Sequence, residues 1–279
     1  EYQMPIASAQ VKSSLILASL SSGNSIQITE PKITRDHTEK MIEYCGGIID
    51  VQNSSEGRII TLNKTNLSEI SSYEVVGDFS SAAFIIVAAL ISKKSKVLIK
   101  NVGLNATRKG LLEVLLKMNA NIKIVNRRKA CNEICGDLIV ESSNLEGVEV
   151  SDSVIPNIID EIPILSVAAS FAEGETVIKN ASELKVKESD RLKATSDGLK
   201  AMNIKHDMLD DGLIIYGHNN DVHVSKEIDS FGDHRIAMSF LVAGIRSKDG
   251  IIVKNCKNIE TSFPDFSNLM NAIGMKING

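Results

Sequence analysis

Tryptophan is absent from the sequence, and aromatic residues make up only 4% of its 279 positions. Lysine and arginine form no basic stripe, and the formal net charge is only −4 at pH 7. Single-stranded nucleic acid is usually bound by stacked aromatic side chains along a basic groove. A nucleic-acid-binding function is therefore not indicated, and the small net charge favours no other class of charged partner.

Long apolar runs are also absent. None reaches the roughly 18 residues that read as a membrane-spanning helix, and no secretory signal is visible. These patterns favour a cytoplasmic protein that does not enter a membrane.

Cysteine is too sparse for a disulfide framework in a chain of this length. The four cysteines are Cys45, Cys131, Cys135 and Cys256. Cys131 and Cys135 lie close together in the sequence, but a metal site would need two further ligands nearby, and none is found. Reduced thiols near a strand are therefore favoured, and no metal is predicted.

What the sequence does contain is an internal repeat. Each copy predicts an apolar helix rich in alanine and serine, a short strand, a charged amphipathic helix that ends at glycine or asparagine, and another strand. The first strands begin near Ser25, Lys96, Thr176 and Ile251, and the second helices end near Gly46, Asn119, Asn203 and Gly274. Further strands are predicted near residues 58–62 and 212–216. The fold class is therefore mixed α/β (α+β), built from four related units.

The first helix of each copy is apolar on nearly every side. Residues 82–91, with the sequence AAFIIVAALI, have no polar face. A helix of this kind must be buried all round. The pattern predicts buried helices packed in parallel, with sheets and amphipathic helices around them.

Acidic residues, serine and threonine at helix starts are ordinary caps, which satisfy free backbone N–H groups. The predicted caps are Asp78, Thr107, Asp233 and Asp265, and Asp36 with Glu39 forms a candidate capping box.

Basic residues at helix starts are less expected, because they oppose the helix dipole. Arg35, Arg108, Lys187 and Arg235 nevertheless lie in or near predicted first turns. Together they indicate that positive helix ends face a phosphate or carboxylate. For any one of them, pairing with an adjacent acid remains open as an alternative.

Four sequence runs carry a resemblance to a known family. They are PIASAQVK at 5–12, RDHTE at 35–39, KVKESDR at 185–191 and GDHRIAM at 232–238. With them the chain resembles the EPSP synthase family of enolpyruvyl transferases. The KESDR and DHRIAM runs are specific, and both occur in order in neighbouring copies of the repeat. The resemblance covers the whole chain, and SFPD at 262–265 is its last matching element.

The resemblance implies a fold of two lobes, the inside-out α/β barrels of the enolpyruvyl transferases, each made of three repeated βαβαββ-type units. Residues 1–74 would form the last unit of the N-terminal lobe, and residues 75–279 the C-terminal lobe of three units. We expect a longer polypeptide with two further units before Glu1, monomeric in its full-length form. The 279-residue chain alone is expected to be nearly inactive.

The reaction implied by the resemblance moves the enolpyruvyl group of phosphoenolpyruvate (PEP) onto the 5-hydroxyl of shikimate 3-phosphate and releases phosphate. It proceeds by addition and elimination, and it needs no metal or organic cofactor. Both substrates are anions, which agrees with the basic residues at the helix starts.

The resemblance also implies roles for individual residues. Those matching shikimate 3-phosphate contacts are Ser8, Ala9, Gln10, Arg35, Asp160 and Lys187. Those matching PEP contacts are Gln10, Arg191, His234 and Arg235. Asp160 is the candidate base for the 5-hydroxyl, and the alternative is that it serves only as a helix cap. Lys187 and Glu188 match the pair at the reacting carbons, where burial can tune them for proton exchange.

Three positions depart from the pattern of other family members. Ala9 stands where others carry a second serine, Glu183 where some carry asparagine, and Thr261 where some carry lysine. Two alternative functions remain open. One is enolpyruvyl transfer to UDP-N-acetylglucosamine, and the other is a non-catalytic fragment that binds anions without turnover.

Overall fold

The computed structural model of the chain describes residues 1–55 and 57–279. Its strands are β1 (Tyr2–Gln3), β2 (Ile26–Glu30), β3 (Ile49–Ser54), β4 (Gly57–Leu62), β5 (Lys96–Gly103), β6 (Asn121–Ala130), β7 (Glu133–Glu141), β8 (Gly174–Ile178), β9 (Lys205–Leu209), β10 (Gly212–Gly217), β11 (Ile228–Asp229) and β12 (Val253–Lys254). Its α-helices are α1 (Ala9–Ser22), α2 (His37–Tyr44), α3 (Phe79–Ile91), α4 (Gly110–Lys117), α5 (Ile155–Ile158), α6 (Ile162–Ser170), α7 (Arg191–Ala201), α8 (His234–Ala243), α9 (Ile259–Ser262) and α10 (Phe266–Ala272). The predicted order of helix, strand, helix and strand is found in the first three copies of the repeat.

The chain divides into two compact units. Unit 1 contains Glu1–Val76, Gly103–Arg108 and Arg127–Gly136. Unit 2 contains Gly77–Val102, Lys109–Asn126 and Asp137–Gly279. Among the described residues, no helix is both long enough and apolar enough to cross a bilayer.

Unit 1 contains a four-stranded sheet of order β1-β2-β4-β3. Strand β4 runs antiparallel to both of its neighbours, with Ile60 opposite Ile28 in β2 and Val51 in β3. Residues directly opposite each other on antiparallel strands face the same side of the sheet. Ile28 and Ile60 therefore point together into a small apolar core that also contains Ile16 of α1 and Ile42 of α2.

Two further sheets follow the same strand order, with the third strand of the repeat inserted between the first and the second. They are β5-β7-β6 and β8-β10-β9. In the second of these, β10 is antiparallel to both neighbours and follows β9 through the tight turn at residues 210–211. The extra strands predicted near residues 58–62 and 212–216 are confirmed as β4 and β10.

Three helices of unit 2, α3, α6 and α8, pack against one another. Twelve of the thirteen residues of α3 are buried, and so are all nine residues of α6. The prediction of helices buried on every side is confirmed for these two. It is wrong for α1, where Lys12, Ile16 and Ser19 are buried while Leu17 keeps 53% of its surface exposed. Unlike α3, α1 packs on a sheet rather than between two helices of its own kind.

The helix ends behave largely as predicted. Gly46, Asn119, Asn203 and Gly274 all have positive φ angles, as expected of residues that end a helix in the left-handed conformation. The side chains of Asp78 and Asp233 accept hydrogen bonds from the first backbone N–H groups of α3 and α8.

The other cap predictions are wrong or unsupported. Asp36 precedes α2, but its side chain makes no capping bond, and Glu39 is turned towards buried Lys12 instead of forming a capping box. Helix α4 begins after Lys109 rather than at Thr107. Asp265 stands at the start of α10 without a side-chain cap.

The fourth copy of the repeat differs from the others. Its first strand is β12, but the strand predicted at residues 275–279 is not formed in the part of the chain that the structure describes. A cavity of about 810 Å³ lies there, with Leu241 of α8, Ile252 and Met275 among its lining residues. Residues 275–278 border this cavity instead of pairing with a neighbouring strand, and an unpaired segment has no ladder to hold it extended.

Candidate active site

The polar residues that begin the three buried helices of unit 2 lie close together. Ser80 is in the first turn of α3, Glu161 immediately precedes α6, and Arg235 is in the first turn of α8. Because these helices pack side by side, their first turns meet at one end of the bundle. Free N–H groups and positive dipole ends gather there, which is the usual setting of an anion site.

Asp160 lies at the centre of this end, in a short 3-10 turn, Ile159–Glu161, just before α6. Its carboxylate faces three cations. Oδ1 lies 3.1 Å from Arg191 Nη1 and 3.9 Å from Lys187 Nζ, and Oδ2 lies 3.9 Å from Arg235 Nη2. Asp160 is thus more than a helix cap, because its side chain is directed at these cations.

Arg191, the first residue of α7, is almost fully enclosed, with 1% of its side chain exposed. Its Nε donates to Asp233 at 2.8 Å, its Nη1 to Asp160 and its Nη2 to Glu188. Asp233 is wholly buried. Burial alone would raise the pKa of Asp233, but the hydrogen bond and charge of Arg191 hold that pKa below its ordinary value. Arg191 and Asp233 therefore form an ionised buried pair under the site.

Lys187 precedes α7 in extended backbone, at the end of a 3-10 segment. Lys187 therefore lies outside α7, which begins four residues later at Arg191. The ammonium of Lys187 pairs with the exposed carboxylate of Glu183, four residues earlier. Glu188, which pairs with Arg191, also keeps 54% of its side chain exposed. These two glutamates are the solvent-facing members of the cluster.

Arg235 is more accessible than Arg191, with 15% of its side chain exposed. Its Nη1 donates to the main-chain oxygen of Asp160 at 3.1 Å and to Glu161 Oε1 at 3.3 Å. Burial, together with the positive charge of Arg235, lowers the pKa of neighbouring His234. His234 is consequently neutral near pH 7 and can offer either a donor or an acceptor.

The acids outnumber the bases in this cluster. Lys187, Arg191 and Arg235 face five carboxylates, those of Asp160, Glu161, Glu183, Glu188 and Asp233. An incoming anion must therefore replace some of these carboxylates. Glu183 and Glu188 can leave at least cost, because exposed ion pairs contribute little stability.

The remaining candidate residues belong to unit 1. Ser8 precedes α1, and its hydroxyl accepts a hydrogen bond from the N–H of Val11 at 3.3 Å. Ala9 is the first residue of α1, and Gln10 follows it with an exposed side chain. Arg35 is half-buried just before α2. Ser8, Ala9 and Gln10 therefore share the beginning of one helix, another N-terminal end that suits an anion.

Sequence reasoning missed three participants. Asp233 was predicted only as a cap, yet it also holds Arg191. Glu161 and Ser80 were given no role, yet they join Arg235 in one buried network. The available signal was the repeat itself, because polar residues at equivalent starts of neighbouring buried helices must meet.

The departing residues have local partners. Glu183 pairs with Lys187, as described above, and the hydroxyl of Thr261 donates to the main-chain oxygen of Asn258 at 2.8 Å. The four cysteines are free thiols. Among the described residues, no group of three or more His, Cys, Asp or Glu side chains is arranged to hold a metal ion.

Comparison with protein families gives a match over residues 1–270 to the model of EPSP synthase (3-phosphoshikimate 1-carboxyvinyltransferase). Among curated relatives, the 3-phosphoshikimate 1-carboxyvinyltransferase of Magnetococcus marinus is 44% identical over 276 residues, covering 99% of this chain and 61% of its own length. That of Petrotoga mobilis is 45% identical over 272 residues, covering 98% and 62%.

Solved structures are also similar to this chain. The EPSP synthase of Acinetobacter baumannii superposes with a TM-score of 0.90 at 40% identity, over 99% of this chain and 63% of that one. The enolpyruvyl transferase NikO of Streptomyces tendae superposes with a TM-score of 0.69 at 15% identity, over 95% and 60%. The second likeness concerns the fold alone. The chain spans about 61 to 63% of the length of these EPSP synthase relatives.

Proposed function

The chain belongs to the EPSP synthase family, and on this premise we propose that it carries the PEP-binding and proton-transferring part of a 3-phosphoshikimate 1-carboxyvinyltransferase. The observation that supports the proposal best is the convergence of Lys187, Arg191 and Arg235 on the carboxylate of Asp160. Cations at helix starts suit two anionic substrates, and a carboxylate among them suits proton removal from a hydroxyl.

The proposed reaction balances as an addition followed by an elimination. A proton is added to the methylene carbon of PEP while the 5-oxygen of shikimate 3-phosphate bonds to the adjacent carbon and loses its own proton. The tetrahedral adduct then loses a proton from the new methyl group, and its phosphate leaves. The products are the enolpyruvyl ether and inorganic phosphate, and no net proton or electron is consumed.

Asp160 is the proposed acceptor of the hydroxyl proton. Lys187 and Glu188 are the proposed donor and acceptor at the methylene carbon of PEP, because they are adjacent residues beside Asp160 and Arg191, respectively. Arg235, with His234 beside it, is the proposed clamp for the PEP carboxylate or phosphate. A planar guanidinium matches such groups with two parallel hydrogen bonds.

In this scheme, the anionic groups of the substrates replace two protein carboxylates that pair with the cations of the site. Glu183 leaves Lys187 and Glu188 leaves Arg191 when the substrate anions arrive, while buried Asp233 and Glu161 stay in place. Ser8, Gln10 and Arg35, with the backbone at Ala9, are proposed as contacts for shikimate 3-phosphate, and Gln10 for PEP as well. A cytoplasmic location and a monomeric full-length form stay predictions of the family resemblance.

The acceptor is tested by binding and turnover with two candidates. Calorimetry on the purified chain should detect shikimate 3-phosphate and PEP but not UDP-N-acetylglucosamine. Phosphate release should occur with shikimate 3-phosphate in a longer form that restores the length of the relatives, and the 279-residue chain alone should be nearly inactive. Turnover with UDP-N-acetylglucosamine instead would replace this proposal with the sister reaction. Binding of either substrate without turnover in the longer form would favour a non-catalytic anion-binding protein.

A further inference from the structure

Glu161 is a buried carboxylate with no part in the roles described above. We infer that Glu161, together with the hydroxyl of Ser80, is the positioning residue that holds the guanidinium of Arg235 in place for an anionic substrate. The inference rests on the proposed function, because it concerns the arginine proposed to clamp PEP.

The side chain of Glu161 does not serve its own helix. Glu161 immediately precedes α6, where a carboxylate would ordinarily cap the first N–H groups, but its side chain makes no such bond. It turns instead to the two neighbouring helices. It accepts a hydrogen bond from the hydroxyl of Ser80 in α3, and its Oε1 lies 3.3 Å from Nη1 of Arg235 on α8. One carboxylate thus joins the first turns of three buried helices.

Burial makes this arrangement strict. The side chain of Glu161 is almost completely enclosed, and an enclosed carboxylate is costly unless it is paired and hydrogen-bonded. The cation of Arg235, the hydroxyl of Ser80 and the positive ends of the helices supply that compensation. Moving Arg235 would break this buried ion pair, which disfavours other positions of its guanidinium.

Two contacts hold Arg235, and both come from the 3-10 turn Ile159–Glu161. The same Nη1 that faces Glu161 also donates to the main-chain oxygen of Asp160 at 3.1 Å. Because Asp160 and Glu161 are consecutive residues, Arg235 is fixed relative to the carboxylate proposed as base. Glu161 thereby sets the spacing between the PEP clamp and the site of hydroxyl deprotonation, which reacting groups must hold closely.

A purely electrostatic role of Glu161 and a positioning role predict opposite changes in the affinity for PEP. If Glu161 only neutralised Arg235, removing its charge would strengthen the binding of an anion. If it positions Arg235, Glu161→Gln frees the guanidinium to sample other rotamers and binding weakens. Ordering one long side chain again is worth about two- to tenfold in affinity.

The experiment titrates PEP by calorimetry into the purified chain and its variants. Glu161→Gln should bind PEP about five- to tenfold more weakly, and Ser80→Ala about two- to threefold more weakly. Two matched controls should bind as the unsubstituted chain does. Glu149→Gln changes an exposed glutamate, and Ser166→Ala removes a buried hydroxyl that donates to the main-chain oxygen of Ile162 within α6.

A second readout does not depend on PEP. In the ¹⁵N-labelled chain, the Nε–H signal of Arg235, assigned by its loss in Arg235→Lys, should show slow rotation of a held guanidinium. In Glu161→Gln that rotation should become fast. A role in stability alone would lower the unfolding temperature and leave this signal unchanged. If Glu161→Gln does not fold, Ser80→Ala supplies the same two readouts.

The outcomes separate the two levels of the proposal. Equal or tighter PEP binding by Glu161→Gln, or an unchanged Arg235 signal in a folded variant, overturns the positioning role. If the unsubstituted chain binds no PEP, that result counts against the proposed function. The rotation of the Arg235 guanidinium then decides the positioning role by itself.

Discussion

The two units each bury a lysine or arginine among carboxylates, but they do so differently. In unit 1, Lys12 is fully buried, with its Nζ 3.2 Å from Glu30 and 2.7 Å from Glu39, and both glutamates are buried with it. In unit 2, Arg191 is equally enclosed, yet its partner Glu188 is more than half exposed and Arg235 beside it reaches the surface.

The contrast separates a structural ionic cluster from one that can bind a ligand. Among the described residues, the two carboxylates that pair with Lys12 are both buried, so neither is readily exchanged for an incoming anion, and we expect the cluster to act on stability. The cluster around Asp160 has exposed glutamates that a substrate can replace. Burial of the partner acids, rather than burial of the cation, therefore indicates which basic residues are available for function.

The largest effect on stability is expected at the buried cluster of Lys12, Glu30 and Glu39. Lys12→Met should destabilise the chain by about 3–5 kcal/mol, because it removes the buried ammonium from Glu39 and leaves Glu30 with the more distant Arg58, 3.9 Å away. Urea unfolding followed by circular dichroism measures this loss. The control is Lys64→Met, at an exposed lysine of the same unit. A loss below about 1 kcal/mol in Lys12→Met would show that the cluster is not sealed as described.

Apolar burial gives the next largest effect and compares the equivalent helices. Leu90 of α3 is fully buried, whereas Leu17 of α1 is largely exposed. Leu90→Ala should cost about 2–5 kcal/mol through lost burial and a residual cavity. Leu17→Ala should stay within about 0.5 kcal/mol, as surface substitutions do. Similar losses in urea unfolding for the two variants would contradict the difference in burial.

Local structure could be predicted from the sequence because its causes are local. The left-handed residues at Asn119 and Asn203 and the caps at Asp78 and Asp233 depend on a few neighbouring residues. The repeat also revealed α3 and α6 as buried helices, since an apolar surface on every side leaves no alternative. Lys187, Arg191 and Arg235 were singled out by the two motifs that carry the family resemblance, and the structure brings these three residues around Asp160.

What the sequence could not supply depends on tertiary partners. The pattern of α1 resembles that of α3, but its burial depends on which elements surround it. Glu39 suits a capping box by spacing, yet the buried ammonium of Lys12 lies 2.7 Å away and takes its carboxylate. Arg191 draws two of its three partners, Asp160 and Asp233, from 31 and 42 residues away, beyond the reach of a local spacing rule.

At the cluster around Asp160, a substitution should change substrate binding more than it changes stability. Arg235→Lys keeps the charge but loses the planar fork. Loss of such a charge-assisted contact costs about 1.5–3 kcal/mol, or about tenfold to more than a hundredfold in PEP affinity. Calorimetry should show a much smaller change for shikimate 3-phosphate, and Arg127→Lys, at an exposed arginine, should change neither. Equal losses for both substrates would argue against a PEP-specific role for Arg235.

Acid should weaken both units in the same direction. Burial would raise the pKa of Asp36 in unit 1, but hydrogen bonds from Asn105 and Lys40 and the charge of Lys40 lower it below the ordinary 3.8. The pKa of Asp233 in unit 2 is lowered in the same way by Arg191. A carboxyl whose pKa is lower in the folded state contributes stability above its unfolded pKa and loses it as pH falls through its folded pKa.

Stability should therefore be nearly constant for these two groups above about pH 5 and should fall below about pH 4. Asp233→Asn should unfold more easily at pH 7 and show a flatter dependence on pH in that acidic range. Urea titrations between pH 7 and pH 3 measure both effects, with Asp152→Asn as a variant at an exposed position. A pH dependence unchanged in Asp233→Asn would rule out this contribution.

The smallest effect concerns the three repeats of unit 2. In the second and third copies, a residue just after the third strand is hydrogen-bonded to the end of a buried helix, through Ser143 N–H to Leu90 O at 3.0 Å and His218 N–H to Ser170 O at 3.2 Å. In the fourth copy, residues 275–278 border the cavity of about 810 Å³ instead. Since opening needs less energy where fewer contacts hold the backbone, amides of 251–254 and 275–278 should exchange at least about tenfold faster than those of β8. Hydrogen exchange followed by mass spectrometry tests this difference. Equal protection in the two regions would mean that the cavity does not weaken the fourth copy, and that α8 and β11 hold its strand as firmly as β10 holds β8.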